Sequence, residues 1–341
     1  MTRRQLPFFA ATALAMAFVS GTPCVAGEPV GCTQIDVPVT IEAGGGPVAG
    51  TLCMPPGATR IQVLLPGLTY DRTYWDFSSP DDSYSYVRHE TRRGEGTLAL
   101  DRLGTGRSWH PPSAALTYTA QASAIRQVIA AVHAGRVTGS SLDSVILVGH
   151  SYGAYIAFGA VGSGAVVDAV IATGATHSPL DYAALAASPV LTMPATLDPR
   201  LAGHLGAADL GYMTTWPGAR AMFYANADPD IVAADEARKD TAGYLEASTA
   251  SPELIERASR AIDLPVLTMV GSADFTSCTG DDCASDMTLT AAEQPHFGTH
   301  AHLHATVIPG AGHNLTLERS HRAIWSAIDD FLGTIADHGF R

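Results

Sequence analysis

The sequence predicts an α/β fold, in which a mostly parallel central sheet carries helices on both faces. Short runs of β-branched and aliphatic residues alternate along the chain with longer segments of helical apolar spacing. Because parallel neighbours need crossover connections, this strand–helix–strand–helix order indicates a parallel sheet. At 341 residues, of which 46% are hydrophobic and 16% charged, the chain is long and apolar enough to bury such a core.

The first two strands form a predicted hairpin. Residues 34–41 alternate polar and apolar side chains, as a half-buried strand does. A turn is expected at Gly44-Gly45-Gly46, and a second strand at residues 48–54. We therefore expect two antiparallel strands at one edge of the sheet.

The parallel part of the sheet is predicted from the runs that follow. Each expected strand is a short apolar run, and each expected helix has apolar residues three or four positions apart. The expected strands cover residues 61–65, 97–100, 144–148, 166–172, 265–270 and 304–308. The expected helices cover residues 84–93, 120–133, 152–160 and 317–335.

The alternation is interrupted between residues 176 and 261. This segment is rich in Ala, Pro, Asp and Met, and it contains helical fragments but no clear βα unit. We interpret it as a helical cap inserted over the carboxyl edge of the sheet.

The amino terminus has the pattern of an export signal. Arg3 and Arg4 precede an apolar run at residues 6–19, and small residues follow up to Ala26. The run is too short to span a bilayer, and no later apolar stretch reaches the required length of about 20 residues. We expect residues 1–26 to be cleaved as a signal peptide, which makes the protein secreted or periplasmic with no integral membrane segment.

Four cysteines remain after this cleavage, and an even number in an oxidising compartment predicts two disulfides. Of the three connectivities, Cys32–Cys53 and Cys278–Cys283 are favoured, because the first pair flanks two adjacent strands and the second closes a short loop. Zinc bound at Cys278 and Cys283 is the alternative, although no second cysteine pair of similar spacing accompanies them.

The charge of the chain argues against a nucleic-acid partner. The formal net charge is −13, and the sequence contains no arginine-rich stripe or basic patch interleaved with aromatic residues. Binding to phosphates requires clustered Lys and Arg.

The strongest chemical signal is Gly149-His150-Ser151-Tyr152-Gly153, between a β-branched strand and an Ala-rich helix. In that context the glycines allow a sharp turn with the Ser151 hydroxyl exposed at its apex. The amino terminus of the following helix offers N–H groups and positive potential to a developing oxyanion. The alternative is a serine that merely caps the helix.

With this pentapeptide the chain resembles the α/β-hydrolase superfamily, specifically serine esterases and lipases with an inserted cap. A second mark, Asp101-Arg102-Leu103-Gly104-Thr105-Gly106-Arg107-Ser108, looks like the Asp-x-x-Gly-x-Gly-x-Ser turn of the family, whose role is mainly structural. The resemblance covers nearly all of residues 27–341 and implies the α/β-hydrolase fold.

The resemblance also implies the partners of Ser151, because a serine hydroxyl needs a base to become a good nucleophile. The base follows the last strand in this family, and Pro309-Gly310-Ala311-Gly312-His313-Asn314 fits that pattern. A surface-loop histidine is the alternative for His313. The acid that orients the imidazole is expected after the penultimate strand, at Asp274. A solvated turn aspartate is the alternative there, and Asp228 or Asp230 would then supply the acid.

An oxyanion hole requires two aimed N–H donors. The backbone of Tyr152, directly after the serine, is one expected donor. The other is expected from the loop after strand 61–65, at the backbone of Leu68. This loop has Pro66-Gly67 where many family members have His-Gly, and the departure weakens the assignment of Leu68.

Four histidines near the carboxyl end suggest a second possibility. His300, His302 and His304 alternate, so a strand would place them on one face, with His296 nearby. A metal site is one interpretation. Because no acidic or cysteine partner is adjacent in sequence and the family chemistry needs no ion, we expect no metal and no cofactor.

The predicted function is hydrolysis of a carboxylic ester or lactone through an acyl-enzyme on Ser151. The expected partner is a small-molecule ester that is partly apolar, because the predicted cap contains many apolar side chains. An amidase or peptidase of the same fold is one alternative. A non-catalytic binding protein with the same fold is the other.

Overall fold

The computed structural model describes residues 31–79, 82–177, 188, 191–205, 209–278 and 280–338. The predicted signal peptide and its cleavage position lie outside the described residues. The strands are β1 (Cys32–Ile41), β2 (Gly44–Cys53), β3 (Arg60–Leu65), β4 (Gly96–Leu100), β5 (Ser144–His150), β6 (Ala169–Thr173), β7 (Thr192–Pro194), β8 (Tyr212–Thr215), β9 (Ala242–Gly243), β10 (Val266–Gly271) and β11 (Leu303–Ile308). The helices are α1 (Tyr86–Arg92), α2 (Tyr118–His133), α3 (Tyr152–Gly162), α4 (Pro229–Arg238), α5 (Tyr244–Ser248), α6 (Pro252–Ser259), α7 (Asp286–Glu293) and α8 (His321–His338).

Eight strands form one sheet in the order β1-β2-β4-β3-β5-β6-β10-β11. The pairs β1–β2 and β2–β4 are antiparallel, and all the following pairs are parallel. The predicted fold class is therefore confirmed, including the antiparallel hairpin at one edge. The carboxyl ends of β3, β5, β6, β10 and β11 all lie at one edge of the sheet, because these strands run in the same direction.

Alternate side chains of β5 belong to two separate hydrophobic clusters. Val145 and Leu147 pack in a cluster with apolar residues of α2, α3 and α6, whereas Ile146 and Val148 pack with residues of α1 and α8. Because successive side chains of a strand point to opposite faces, the helices cover both faces of the sheet.

The turn between β1 and β2 does not lie at Gly44-Gly45-Gly46, as predicted, but just before these residues. Ile41 pairs with Gly44, so the turn is at residues 42–43 and the three glycines begin β2. The physical reason is packing, because a Cβ on Gly46 would lie 2.3 Å from the Trp109 side chain. Glycine at position 46 therefore leaves space for the Trp109 indole to pack against β2.

The segment between β6 and β10 differs from the expected helical cap, because it also contains strands. It contains α4, α5 and α6, but also a three-stranded antiparallel sheet in the order β7-β8-β9. All four residues of β8 are buried, so the sequence shows no polar–apolar alternation there. At the end of the segment α6 packs closely on α3, where a Cβ on Gly162 would lie 2.8 Å from the backbone of Ala258.

Both expected disulfides are present. Cys32 and Cys53 lie opposite each other in the β1–β2 register and are joined. Cys278 is joined to Cys283, which leaves neither thiolate for zinc. Along the described ranges, no helix has the length and the apolar character needed to cross a membrane.

Gly149→Ala is expected to lower the free energy of unfolding by about 1–3 kcal/mol, because over-packing forces neighbouring atoms apart. A Cβ at this position would lie 2.4 Å from the backbone nitrogen of Ala154. Urea denaturation measures the change. Gly333→Ala in α8 is the matched control, since a Cβ there has nothing within 4 Å. That substitution is expected to be neutral or to stabilise by up to about 1 kcal/mol, and equal effects in both variants would contradict the packing argument.

Candidate active site

Ser151 lies at a sharp turn between β5 and α3. Its backbone has φ 54° and ψ −124°, a conformation that non-glycine residues rarely adopt. Such a residue costs about 1–3 kcal/mol and persists only where its surroundings hold it. The Ser151 N–H donates to the carbonyl oxygen of Thr173 at 2.7 Å, which ties the turn to β6.

Glycines leave the room that this turn needs. A Cβ on Gly153 would lie 2.5 Å from the carbonyl oxygen of Leu65, and one on Gly67 would lie 3.2 Å from the Cβ of Ser151. The first turn of α3 therefore approaches the end of β3 more closely than any larger residue allows. This close approach places the Ser151 side chain at the carboxyl edge of the sheet.

His313 contacts this serine from the loop after β11. Its Nε2 lies 2.9 Å from the Ser151 Oγ, although the two residues are 162 positions apart. The His313 N–H donates to the carbonyl oxygen of Phe223 at 2.9 Å, and the Phe223 ring lies 5.5 Å from the imidazole. Gly174 gives the imidazole space, because a Cβ there would lie 3.2 Å from His313 Cε1.

Asp274 contacts the other side of the imidazole. Its Oδ2 lies 2.9 Å from Nδ1 of His313, while Oδ1 accepts hydrogen bonds from the N–H and the hydroxyl of Thr276 at 2.9 and 2.6 Å. Burial raises the pKa of Asp274, but the charge of His313 and the hydrogen bonds from His313 and Thr276 outweigh burial. The pKa of Asp274 therefore lies well below its usual range, and the carboxyl group is ionised.

The structure thus joins a hydroxyl, an imidazole and a carboxylate in one hydrogen-bonded chain. An Nδ1–H held by a carboxylate leaves the lone pair of Nε2 directed at the hydroxyl, so the imidazole can accept its proton. All three side chains are at most 8% exposed. In such surroundings charge interactions are stronger than in water.

Thr276 and His150 are further residues of this site that the sequence analysis missed. The Thr276 hydroxyl lies 2.7 Å from Nδ1 of His313 as well as bonding Asp274. The His150 ring stacks on Tyr74 with centroids 4.3 Å apart and lies 4.9 Å from the His313 ring. Burial, together with the neighbouring His313, lowers the pKa of His150 well below its usual value, so this imidazole stays neutral.

Glu318 holds the His313 loop against the segment between β6 and β10. Its buried carboxylate accepts hydrogen bonds from the N–H groups of Gly312, Ala225 and Asn226 at 2.8–2.9 Å. The sequence indicates a role for Glu318 only through its position, five residues after His313. Its partners lie up to 93 residues away, so spacing in the sequence does not indicate them.

The alternative acids lie elsewhere. The Asp228 side chain is 45% exposed, pairs with Arg319 at 2.7 Å and accepts from the Tyr84 hydroxyl at 2.8 Å. Asp230 is in the first turn of α4. The carboxylate that contacts His313 belongs to Asp274.

Three of the four carboxyl-terminal histidines have separate partners. His296 contacts Glu256 at 2.5 Å, His300 contacts Asp263 at 2.8 Å, and the His304 ring lies edge-on to Phe331. Side chains that face different partners do not converge on one ion.

Within the described ranges, the ligand atoms of His89, Glu90 and Asp329 do converge, within 4.8 Å of one another. They lie on α1 and α8. Burial and the charge of Asp329 raise the pKa of Glu90 to about 8, so this carboxyl group is mostly protonated at neutral pH. Arg93 balances the charge of Asp329 at 3.1 Å.

The predicted oxyanion donors belong to two segments close to Ser151, the start of α3 and the loop after β3. Tyr152 is the first residue of α3, so its N–H is at the amino terminus of that helix. Leu68 is half-buried and follows Gly67, which approaches the Ser151 Cβ closely. The next residue, Thr69, has φ 61°, which is rare for a β-branched residue.

A mostly parallel sheet with a serine at the sharp turn between a central strand and its helix is the architecture of α/β hydrolases. The family model for the alpha/beta hydrolase family matches residues 62–326, and the chain belongs to this family. None of the functionally curated proteins matches the sequence significantly.

Solved structures share the fold at low sequence identity. A highly thermostable carboxyl esterase from Bacillus coagulans is 16% identical with a TM-score of 0.60, and the match covers 89% of this chain and 98% of that one. A thermophilic esterase from Thermogutta terrifontis is 18% identical with a TM-score of 0.54, covering 89% and 99%. A monoacylglycerol lipase from Paleococcus ferrophilus is 18% identical with a TM-score of 0.55, covering 84% and 99%.

Replacing Asp274 is expected to change how the free energy of unfolding depends on pH. Its folded-state pKa is below the unfolded value of about 3.9, so ionised Asp274 stabilises the fold above about pH 4. This contribution is lost as the pH falls through the folded-state pKa. Between about pH 5 and pH 2, wild-type protein should lose about 1–3 kcal/mol more than Asp274→Asn, as measured by urea denaturation.

Asp228→Asn is the matched control for this measurement. Hydrogen bonds from Arg319 and Tyr84 also lower the pKa of Asp228, but water screens its exposed carboxylate. If both variants changed the pH dependence equally, the contacts of Asp274 with His313 and Thr276 would not be the cause.

Proposed function

We propose that the chain is a serine hydrolase that cleaves carboxylic esters, including lactones, through an acyl-enzyme on Ser151. The observation that carries this proposal is the hydrogen-bonded chain from Ser151 to His313 to Asp274, with both contacts at 2.9 Å. The choice of an ester bond is supported by the structures that share the fold, which include two esterases and a monoacylglycerol lipase.

In the first step Nε2 of His313 accepts the Ser151 proton while Oγ bonds to the ester carbonyl carbon. The carbonyl π electrons move to oxygen, which becomes the oxyanion. Ionised Asp274 stabilises the imidazolium formed at this stage. When the C=O bond re-forms, the bond to the alcohol breaks, and the alcohol leaves with the proton from Nε2.

The second step returns the enzyme to its starting state. A water molecule gives its proton to Nε2 and attacks the acyl carbon, and the ester bond to Ser151 then breaks. The serine regains its proton from the same imidazole, and the carboxylic acid is released. A neutral His150 beside His313 helps here, since a second positive charge would oppose protonation of Nε2.

The oxyanion is assigned to two backbone donors, the N–H groups of Tyr152 and Leu68. The first lies at the amino terminus of α3, where the helix dipole favours negative charge. The second lies in the loop whose Gly67 approaches Ser151. Donors of this kind are typically worth about 10²–10³ in turnover each.

An apolar group of the substrate is supported by side chains near the imidazole. The Phe223 ring faces His313 and stacks on Phe275 with centroids 6.1 Å apart. Phe275 and Met222 are 45% and 46% exposed, so apolar surface next to Phe223 is open to contact with a ligand. Of the apolar residues in the predicted cap, Leu191, Met193 and Met213 are buried, Leu201 is half-buried, and Leu210 and Trp216 are exposed.

Secretion to an oxidising compartment is part of the proposal, as is a cap formed by residues of the 176–261 segment. The two disulfides support the compartment, since such bonds persist where thiols are not kept reduced. An amidase or peptidase of the same fold stays the alternative. A panel of matched ester and anilide substrates separates these possibilities.

Ser151→Ala is expected to lower turnover of nitrophenyl esters by about 10⁴–10⁶, because no acyl-enzyme can form. Wild-type protein should also become labelled by a fluorophosphonate probe at Ser151, and the variant should not. Initial rates on esters and lactones of graded size measure the first effect, and intact-protein mass measures the second. Retained hydrolysis in Ser151→Ala would contradict the mechanism, and wild type without turnover or labelling would favour the binding-protein alternative.

Asp274→Asn is expected to lower turnover by about 10⁴, because the imidazole loses the carboxylate that orients it and stabilises its charge. Asp228→Asn removes a carboxylate that is 45% exposed and pairs with Arg319 rather than His313. This variant should keep turnover within about twofold of wild type. Steady-state rates on one nitrophenyl ester compare the two variants. The opposite ranking would reassign the acid.

A further inference from the structure

Two buried arginines hold the loop that carries the proposed Leu68 donor. Arg102 donates from Nη2 to the carbonyl oxygen of Gly67 at 3.1 Å. Arg220 donates from Nη1 to both the carbonyl oxygen and the Oγ1 of Thr69, each at 3.0 Å. Both guanidinium side chains are 0% exposed.

The contact of Arg102 fixes the direction of the proposed donor. The Gly67 carbonyl and the Leu68 N–H belong to one planar trans peptide unit, so they point in opposite directions. Holding the carbonyl oxygen on Arg102 therefore aims the N–H away from the arginine. A charged donor on the carbonyl also polarises the peptide, which makes its N–H a stronger donor.

The contact of Arg220 acts on the next residue. Thr69 has φ 61°, and a β-branched side chain keeps this conformation only where neighbours hold it. Besides Arg220, the N–H of Asp240 donates to the Thr69 carbonyl oxygen at 2.9 Å. Both of these neighbours belong to the segment between β6 and β10, so that segment maintains the strained part of the loop.

Each arginine is paired with a carboxylate from the same segment. Asp235 of α4 accepts from Nε and Nη2 of Arg220 at 3.0 and 3.1 Å. Glu246 of α5 pairs with Arg102 at 2.6 Å and also accepts from the Gly243 N–H. A buried guanidinium requires such a counter-charge, and the bonds restrict where both partners can lie.

We propose that Arg220 is a positioning residue for the oxyanion hole, through which the segment between β6 and β10 sets the conformation of the Gly67–Thr69 loop. The inference rests on the proposed function, because the loop matters for turnover only if Leu68 binds an oxyanion. Arg220 is assigned no contact with substrate. It acts on Thr69, and Thr69 holds the loop in register with Ser151.

The test compares Arg220→Lys and Arg220→Met with wild type. Lysine keeps the positive charge but lacks the planar fork that bonds Asp235 while also reaching Thr69. We expect kcat on a nitrophenyl ester to fall about tenfold to hundredfold, with KM within about twofold, because an oxyanion donor acts mainly in the transition state. Arg260→Met is the matched control, since Arg260 is an exposed arginine of the same segment that pairs with Glu256.

A rescue experiment separates positioning from a general loss of stability. Glycine adopts positive φ without strain. The double variant Arg220→Met/Thr69→Gly should therefore have a kcat at least about threefold higher than that of Arg220→Met. In a wild-type background Thr69→Gly should change kcat less than Arg220→Met does. Folded Arg220→Lys and Arg220→Met proteins with wild-type kcat would overturn the proposal, and so would a double variant with no recovery.

Hydrogen exchange keeps this inference separate from the proposed function. Amides in a peptide covering residues 66–70 should exchange at least about tenfold faster in Arg220→Lys than in wild type or Arg260→Met. Unchanged exchange would overturn the positioning role even if Ser151→Ala abolishes turnover. Faster exchange, in a protein whose Ser151→Ala variant keeps its turnover, would support the loop contact and reject the oxyanion assignment.

Discussion

The sharp turn at Ser151 is the constraint on which the rest of the site depends. A serine with φ 54° is stable only because the backbone around it packs without intervening side chains. Gly149 and Gly153 let α3 approach β3 and β5 so closely that a Cβ at either would lie about 2.5 Å from backbone atoms. The loops after β10 and β11 reach the same sheet edge because their strands run parallel to β5. The parallel topology and the glycines together therefore bring together residues that are far apart in sequence.

The electrostatics of the site favour one charged pair and one neutral neighbour. Asp274 is ionised because its hydrogen bonds and His313 outweigh the effect of burial on its pKa. Burial lowers the pKa of His150 and outweighs the charge of Asp274, which raises it, so this imidazole stays uncharged. A charge formed on His313 therefore has the Asp274 carboxylate in contact, and the neighbouring His150 ring carries no competing positive charge. This asymmetry suits the role of general base that we propose for His313.

The sequence predicted those features that have a local signal. Apolar periodicity indicated the eight strands of the main sheet, and the Gly-x-Ser-x-Gly pentapeptide with its family resemblance indicated which residues to expect around Ser151. The strands β7 to β9 had no such signal, because β8 is buried on both faces and β9 has only two residues. Residues such as Thr276 and Arg220 act through contacts that spacing does not reveal. Arg220 and Thr69, for example, are 151 positions apart.

Two kinds of interaction, apolar packing and buried ion pairs, hold the fold together in different places. The main sheet and its helices pack through two apolar clusters, which tolerate small shifts because hydrophobic contacts have no fixed direction. The segment between β6 and β10 meets the Gly67–Thr69 loop through apolar packing of Leu68 on Met213, Ala242 and Ala247. It also meets the loop through two buried pairs, Arg102–Glu246 and Arg220–Asp235. Buried pairs of this kind add little net stability, but breaking one leaves an uncompensated charge, so they tolerate little displacement. Buried ionic pairs are therefore concentrated around the loop that carries the proposed donor, whereas the bulk of the fold is held by apolar packing.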